Sequence, residues 1–456
     1  MYTISNKLKT FSIALIILGL LGVGYGFMTS HKSFEDVETM LAEETSHHGG
    51  GHAEEATHET ASHDAAANEN HAQETHGEGV ESHSDAHKKH VEHVQHQIAN
   101  RPWSALYVAA FFSFMIALGV LAFYAIQFAS QSGWSPVLFR VMEGITAYVL
   151  PGGLIVLAIA VASGTIGHYN IFIWMDPDVV AHDKLIQAKA SWLNLGWFAV
   201  RGLIFIAGWS LYRHFARKFT IAQDTSDDNS NFKKAFRISA AFLVFFIYTE
   251  SIMSWDWIMS VDPHWFSTLF GWYVFAGMAV SGITVIAFVA LYLKSRGHLE
   301  IVNDSHIHDL AKYMFGFSIF WAYLWFSQFM LIWYANIPEE VTYFVTRIQD
   351  YNGLFFGMLV LNFVFPFLVL MNSDYKRIPW FVFMAGIIIL VGHYIDVYVM
   401  IMPATVGDRW AFGIPEISSI MLFAGLFLFI VFTALTKAPL IVKRNPFLKE
   451  SEHFHY

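Results

Sequence analysis

Long apolar runs alternate with short polar connections along most of this chain, and the runs set its architecture. Ten of them read as membrane spans: Phe11 to Met28, Trp103 to Ala129, Pro136 to Gly164, Ala190 to Tyr212, Phe236 to Met259, Phe266 to Leu293, Tyr313 to Tyr334, Val345 to Met371, Ile378 to Met402 and Ile414 to Leu435. Each is close to or longer than the roughly 20 helical residues that cross a hydrocarbon core of about 30 Å, and a helix satisfies its own backbone there. The pattern predicts an all-α polytopic membrane protein. One long polar stretch, 30–100, interrupts it, rich in His, Glu, Ala, Ser and Gly, with twelve histidines between His47 and His96. It reads as a solvated linker, with the capacity for a surface helix over Val80 to Ala99.

Composition agrees with that class. The chain is 55% hydrophobic and only 14% charged, far from a soluble average. Its net charge of -10 comes largely from the polar stretch, so it implies no nucleic-acid partner. The expected organisation is an anchor over 1–29, a His-rich linker over 30–100, a first four-helix bundle over 101–260, a second over 261–404, and a last helix with its tail over 405–456. Residues Thr29 to Lys32 offer no small-x-small cleavage pattern, so the first run is expected to be an anchor and not a signal peptide. Gly22 and Gly26 within it are spaced for close helix approach.

Charge in the connections sets the orientation. Arg213, Arg217, Lys218, Lys233, Lys234 and Arg237 surround one, Lys294 and Arg296 the next, Lys376 and Arg377 the third, and Lys437, Lys443 and Arg444 follow the last span; Ser260 to Trp265 and Ala335 to Thr342 carry none. By the positive-inside rule both termini and the basic loops are expected on the cytoplasmic side of a bacterial inner membrane, and the His-rich segment in the periplasm.

An ionisable side chain among lipid is a functional hypothesis by default. Glu143 is expected in the inner half of its span, Arg201 near the middle, and Glu250, Asp256, Arg347, Asp350, His393 and Asp396 in the outer half. His393 and Asp396, three residues apart, share a helix face and are suited to sharing a proton or binding a ligand hydroxyl. Arg347 and Asp350 have the same spacing and read as a structural ion pair. Arg201 is expected to neutralise Glu143 or Glu250, and Glu143 with Arg201 would extend a proton path from the inner side. Asp256 precedes Pro263 by seven residues and Asp396 precedes Pro403 by seven, which suggests two repeated bundles with a site in each. Pro151 and Pro366 are expected to kink their spans.

No cysteine is present, which leaves no thiolates for an iron-sulfur cluster and no c-type haem attachment. One His-x-x-Asp pair also supplies too few ligands for a metal. The residues therefore point to proton handling without a bound redox centre.

The run Ser254-Trp255-Asp256-Trp257-Ile258-Met259-Ser260, continuing through Pro263, His264, Trp265, Ser267 and Thr268, resembles the membrane subunits of bacterial alternative complex III, in the polysulfide-reductase membrane-subunit family. Phe320 to Tyr323 and Ser327 through Glu340 resemble the same subunits, and the likeness extends over about Trp103 to Leu435. It implies ten helices, the central eight as two four-helix bundles, in a respiratory quinol:electron-acceptor (cytochrome c) oxidoreductase. The implied partners are an iron-sulfur subunit, a multihaem cytochrome c subunit and a paralogous membrane subunit, and the implied ligand is a quinone such as menaquinone. The His-rich insert lies outside the likeness and points to the second of the two paralogous subunits. Asp256, Asp396, His393 and Glu250 are then the candidates for proton transfer or quinol hydrogen bonding. Two alternatives stand beside this reading: a structural paralogue without quinone, and a secondary transporter for protons or a metal ion.

Overall fold

The computed structural model describes residues 2–47, 83–166 and 170–455. Among them there are helices and no strands, and ten helices are long and apolar enough to cross a membrane. The protein is an all-α, multi-pass membrane protein. In chain order the elements are α1 (Asn6–Ser30), α2 (Phe34–His47), α3 (His83–Ala129), α4 (Pro136–Thr165), α5 (Leu195–Gln223), α6 (Ser230–Trp257), α7 (Phe270–Ser295), α8 (Asp304–Ala335), α9 (Pro338–Gln349), α10 (Asn352–Leu370), α11 (Pro379–Val406) and α12 (Ile414–Leu435). All but α2 and α9 are spans. The side carrying the lysine- and arginine-rich connections is called the basic face below, and the other the far face.

Helices α3 to α6 pack around one another as one four-helix bundle, and α7, α8, α10 and α11 as another. The seam between them is made by α3 and α7, whose apolar windows are 89% and 83% buried. Two glycines set their approach. A Cβ on Gly119 would stand 2.2 Å from the Met278 carbonyl oxygen, and one on Gly282 would stand 2.9 Å from the Val120 nitrogen. Without a hydrophobic force between helices in lipid, such backbone-to-backbone packing is a main source of association. The α1 helix lies on α12 through Gly22 against Ser418 and Gly26 against Pro415, the close approach that their spacing suggested.

Four elements differ from the reading of the sequence. Residues within the expected linker are helical: α2 lies against the polar start of α3, with Val37, Val91 and Val94 buried together beside Phe34, Met40 and Ile98. Val91 and Val94 recur at helical spacing among polar residues, enough for a small apolar seam. The central histidines of that segment lie outside the described residues. The fourth span begins at Leu195 and runs on to Gln223, because Asn194 caps it by accepting from the Trp197 N–H. Arg201 is therefore about two turns from the far face, not near the middle.

The run from Val345 to Met371 is two helices. Asn336 ends α8 in a left-handed conformation (φ 49°), Pro338 starts α9, and α9 presents Tyr343, Phe344 and Arg347 to the protein and Glu339 and Glu340 outward. Such two-sidedness suits a helix lying along a membrane surface. Within α10, residues Val360–Val364 form a π-helical turn just before Pro366. Proline lacks the N–H that would bond the carbonyl four residues back and its ring crowds that carbonyl; here that residue is Asn362, and the wider turn relieves the clash. Finally, Pro263 lies beyond the end of α6, whereas Pro403 lies inside α11, so the two equally spaced prolines do different things.

Gly119→Ala is expected to overpack the α3–α7 seam, because backbone atoms cannot move aside. A loss of about 1–3 kcal/mol, read as a lower thermal midpoint in detergent, is the expected result. Gly24→Ala, where an added Cβ meets nothing within 4 Å, should leave that midpoint unchanged.

Candidate functional site

Each bundle buries one aspartate in the far-face half of its last helix. In the first, Asp256 on α6 accepts from the Trp192 indole (2.9 Å) and from Arg201 Nε (2.6 Å). The Arg201 guanidinium also donates to the Trp192 carbonyl (3.0 Å) and lies over the Trp192 ring (4.2 Å to its centroid). Charge is thus neutralised on the spot. The connection from 170 to 194 covers this site: Trp174 donates to the Ser260 carbonyl, Lys189 to the Pro263 carbonyl, and Asp183 meets His264 at 2.6 Å. That last pair lies outside the spans. Burial alone would raise Asp183, but the Ile186 backbone N–H and the His264 ring outweigh it and hold the carboxyl below its usual range.

The second site is built differently. Asp396 on α11 accepts from the Tyr273 hydroxyl of α7 and from the Trp321 indole of α8 (2.9 Å). His393, one turn away, brings Nδ1 to 3.5 Å from Oδ2, and its ring meets Trp321 edge to face. It is wholly buried, and neither ring nitrogen has a hydrogen-bond partner. Among the described residues no arginine or lysine pairs with Asp396. Beside it is a cavity of about 20 Å³ for water centres, lined by Tyr273, Gln328, Tyr343, Arg347, Met358 and Asp396, large enough for a water molecule.

Arg347 closes that cavity from α9. Its Nη1 donates to the Tyr343 carbonyl (2.8 Å) and Nη2 to the Met400 carbonyl (3.2 Å), the guanidinium covers the Tyr343 ring at 3.3 Å, and buried Nε has no partner. The Arg347 guanidinium thus ties α9 to α11, and Asp350 is the residue that caps the C-terminus of α9. Further along the bundle Asn362 is fully buried in the π-helical turn with both amide atoms unpartnered, and its oxygen would touch a Cβ added to Gly392, beside His393. Buried polar atoms without protein partners are ordinarily satisfied by water.

Glu250 sits on neither aspartate. It is 3% exposed and accepts from Ser254 (3.0 Å) and more weakly from Ser251 (3.4 Å), with no cation paired to it among the described residues. Glu143 lies near the basic face, bonded by Arg140 Nη1 (2.7 Å), Tyr124 (2.9 Å) and Thr220 (2.6 Å), and Arg140 continues to Asp224 (2.5 Å). Two expectations change here. Arg201 neutralises Asp256 and not Glu143 or Glu250, and Glu143 and Arg201 do not form one path. Thr220 and Arg201 stand nineteen residues apart on α5, about 28 Å at helical rise.

Several partners were not singled out from the sequence. Arg140 was signalled by its i,i+3 spacing from Glu143, and Glu416, which holds Arg101 at 2.8 Å, by the Gly-x-x-Glu start of α12. Trp192, Tyr273 and Trp321 carry no such local signal. Neither protein-family models nor curated proteins give a match to this chain.

Arg201→Gln should leave a buried carboxylate uncompensated and cost about 3–5 kcal/mol, with Asp256→Asn added to it recovering most of the loss; a double-mutant cycle of unfolding midpoints checks this. Asp183→Asn should lower the thermal midpoint at pH 5 to 7 and have no effect once pH falls below the depressed Asp183 value. A group lowered in the folded state stabilises above its unfolded pKa, about 3.9, and loses that contribution as pH falls through the folded value.

Proposed function

We propose that this chain is an integral membrane subunit of a respiratory quinol:electron-acceptor oxidoreductase, and that its own chemistry is proton transfer at Asp396. The observation that carries the reading is the contrast between the two bundles. Asp256 is closed by an arginine, whereas Asp396 is held by neutral donors, stands next to an unpartnered imidazole, and borders space for water. A carboxylate held by neutral donors, beside an imidazole and space for water, has neighbours that can pass a proton to and from it. It can take a proton and hand it on.

The respiratory setting rests on the resemblance of the Ser254 to Thr268 and Phe320 to Glu340 segments to alternative complex III membrane subunits. In that setting the basic face is cytoplasmic, the membrane is the bacterial inner membrane, and the partners are iron-sulfur, multihaem cytochrome c and paralogous membrane subunits. Oxidation of a quinol, menaquinol for example, releases two protons with two electrons, and a proton acceptor within hydrogen-bond reach contributes typically 10²–10⁴-fold. A ring the size of a quinone head group does not fit the water-sized space beside Asp396. In this closed form the site serves as a proton acceptor, and α9 would have to move for a quinol to enter. A purely structural paralogue is the second reading, favoured by the closed ion pairs Arg201–Asp256 and Arg140–Glu143.

Asp396→Asn in the intact complex is expected to cut quinol-dependent turnover by about 100-fold or more without loss of assembly. The neutral pair Arg201→Gln with Asp256→Asn should retain most of it. Wild-type rates and proton release in Asp396→Asn would defeat the proton-transfer reading and leave the structural one.

A further inference from the structure

We infer that the protein holds a doubly charged anionic phospholipid at the basic face, against α4, α5 and the end of α12. Arg213 and Arg217 are one turn apart on α5 and half-buried. Arg213 donates through Nε to Thr146 on α4 (3.3 Å), and Arg217 through Nη2 to the Ala434 carbonyl near the end of α12 (3.4 Å). Neither is paired to a carboxylate among the described residues. The nearest acid, Glu143, is occupied by Arg140. Arginines that meet an acid elsewhere on this face are neutralised by it, as Arg444 is by Asp227.

Two adjacent guanidinium groups repel one another, and holding them together at a half-buried site is unfavourable unless an anion bridges them. Each guanidinium makes one hydrogen bond to protein among the described residues, which leaves further N–H groups for a ligand. Depth identifies the anion. Arg213 is eighteen residues from the far-face start of α5, about 27 Å along the axis, which is the distance across most of a hydrocarbon core of about 30 Å. The two arginines thus stand at the level of phosphate head groups, and the chain leaving α12 carries the exposed Lys437 on the same face.

The wall toward the membrane centre is apolar and unpaired with protein. Leu150 (46% exposed) and Leu154 (42%) form an exposed stripe on α4, one and two turns from Thr146. A phosphate on the arginines would lay its acyl chains along that stripe. Basic pockets between spans on this side of a membrane are the ordinary form of a cardiolipin-type site. Two guanidinium groups one turn apart match two phosphates of one lipid better than a single-phosphate head group.

Native mass spectrometry of the full chain in mild detergent, delipidated and then given tetraoleoyl cardiolipin or dioleoylphosphatidylcholine, tests this. One cardiolipin per chain should be retained and phosphatidylcholine lost. Removing both cations in R213Q/R217Q should weaken retention about 30-fold, at roughly 1 kcal/mol per basic side chain at a membrane surface. K233Q/R237Q removes equal charge from the same face at exposed positions and should leave retention unchanged. Equal retention in R213Q/R217Q, equal loss in K233Q/R237Q, or displacement by matched inorganic phosphate would overturn the site as a lipid site. Should R213Q/R217Q not fold, a diazirine-bearing cardiolipin must label wild-type residues 146–154 or 211–218; labelling only elsewhere overturns it equally.

Discussion

A carboxylate cannot sit in hydrocarbon without a partner, and that constraint explains where nearly every charged group in this protein has gone. Glu143 has Arg140, Asp256 has Arg201, and Glu416 has Arg101, each at 2.6–2.8 Å. Arg201–Asp256 and Arg101–Glu416 join helices distant in sequence, while Arg140–Glu143 lies within α4 and is carried to α5 through Asp224 and Thr220. Breaking one by removing the cation is costly, because the remaining charge stays buried. Against that background two buried acids have no cation paired to them among the described residues: Glu250, held by serine hydroxyls, and Asp396, held by Tyr273 and Trp321 beside an imidazole, with Arg347 across a small cavity from it.

The packing of the two bundles places Asp396. Gly119 and Gly282 let α3 and α7 meet backbone to backbone, which makes α7 the central helix of the second bundle and brings its Tyr273 to Asp396. Helix α8 supplies Trp321 from the other side, and α9 folds back over the far face to set Arg347 and Tyr343 as a cover. The Tyr343 ring stacks on Trp265 of the α6–α7 connection with centroids 3.9 Å apart, so the cover of the second site is fastened to the loop beside the first. The two bundles therefore share an architecture and differ in charge. In the first, arginine turns an acid into a structural tie; in the second, the arginine is held by carbonyls and a ring.

Much of this was legible beforehand. Ten spans, the face with the lysine- and arginine-rich connections, and the placement of Asp256 and Asp396 in the half away from it followed from hydropathy and loop charge, since both reflect solvation of local sequence. The close approach of α1 to α12 was foreshadowed by Gly22 and Gly26. The break at Asp350 and Tyr351 was not, because an amphipathic surface helix adjoining a span leaves one nearly continuous hydrophobic run. The hairpin of α2 on α3 was hidden by a polar composition that needs only a few valines to pack.

What the sequence determined by itself is the solvent of each segment: which residues lie in lipid, which face water, and which acids are too deep to be left alone. Pairing belonged to the tertiary structure. Arg201 finds Asp256 55 residues away, Tyr273 finds Asp396 123 residues away, and Arg101 finds Glu416 315 residues away. Hydropathy is a property of each position, so it is readable along the chain. The partner that neutralises a buried charge comes from whichever helix packing brings within 3 Å, and only the folded bundle decides that.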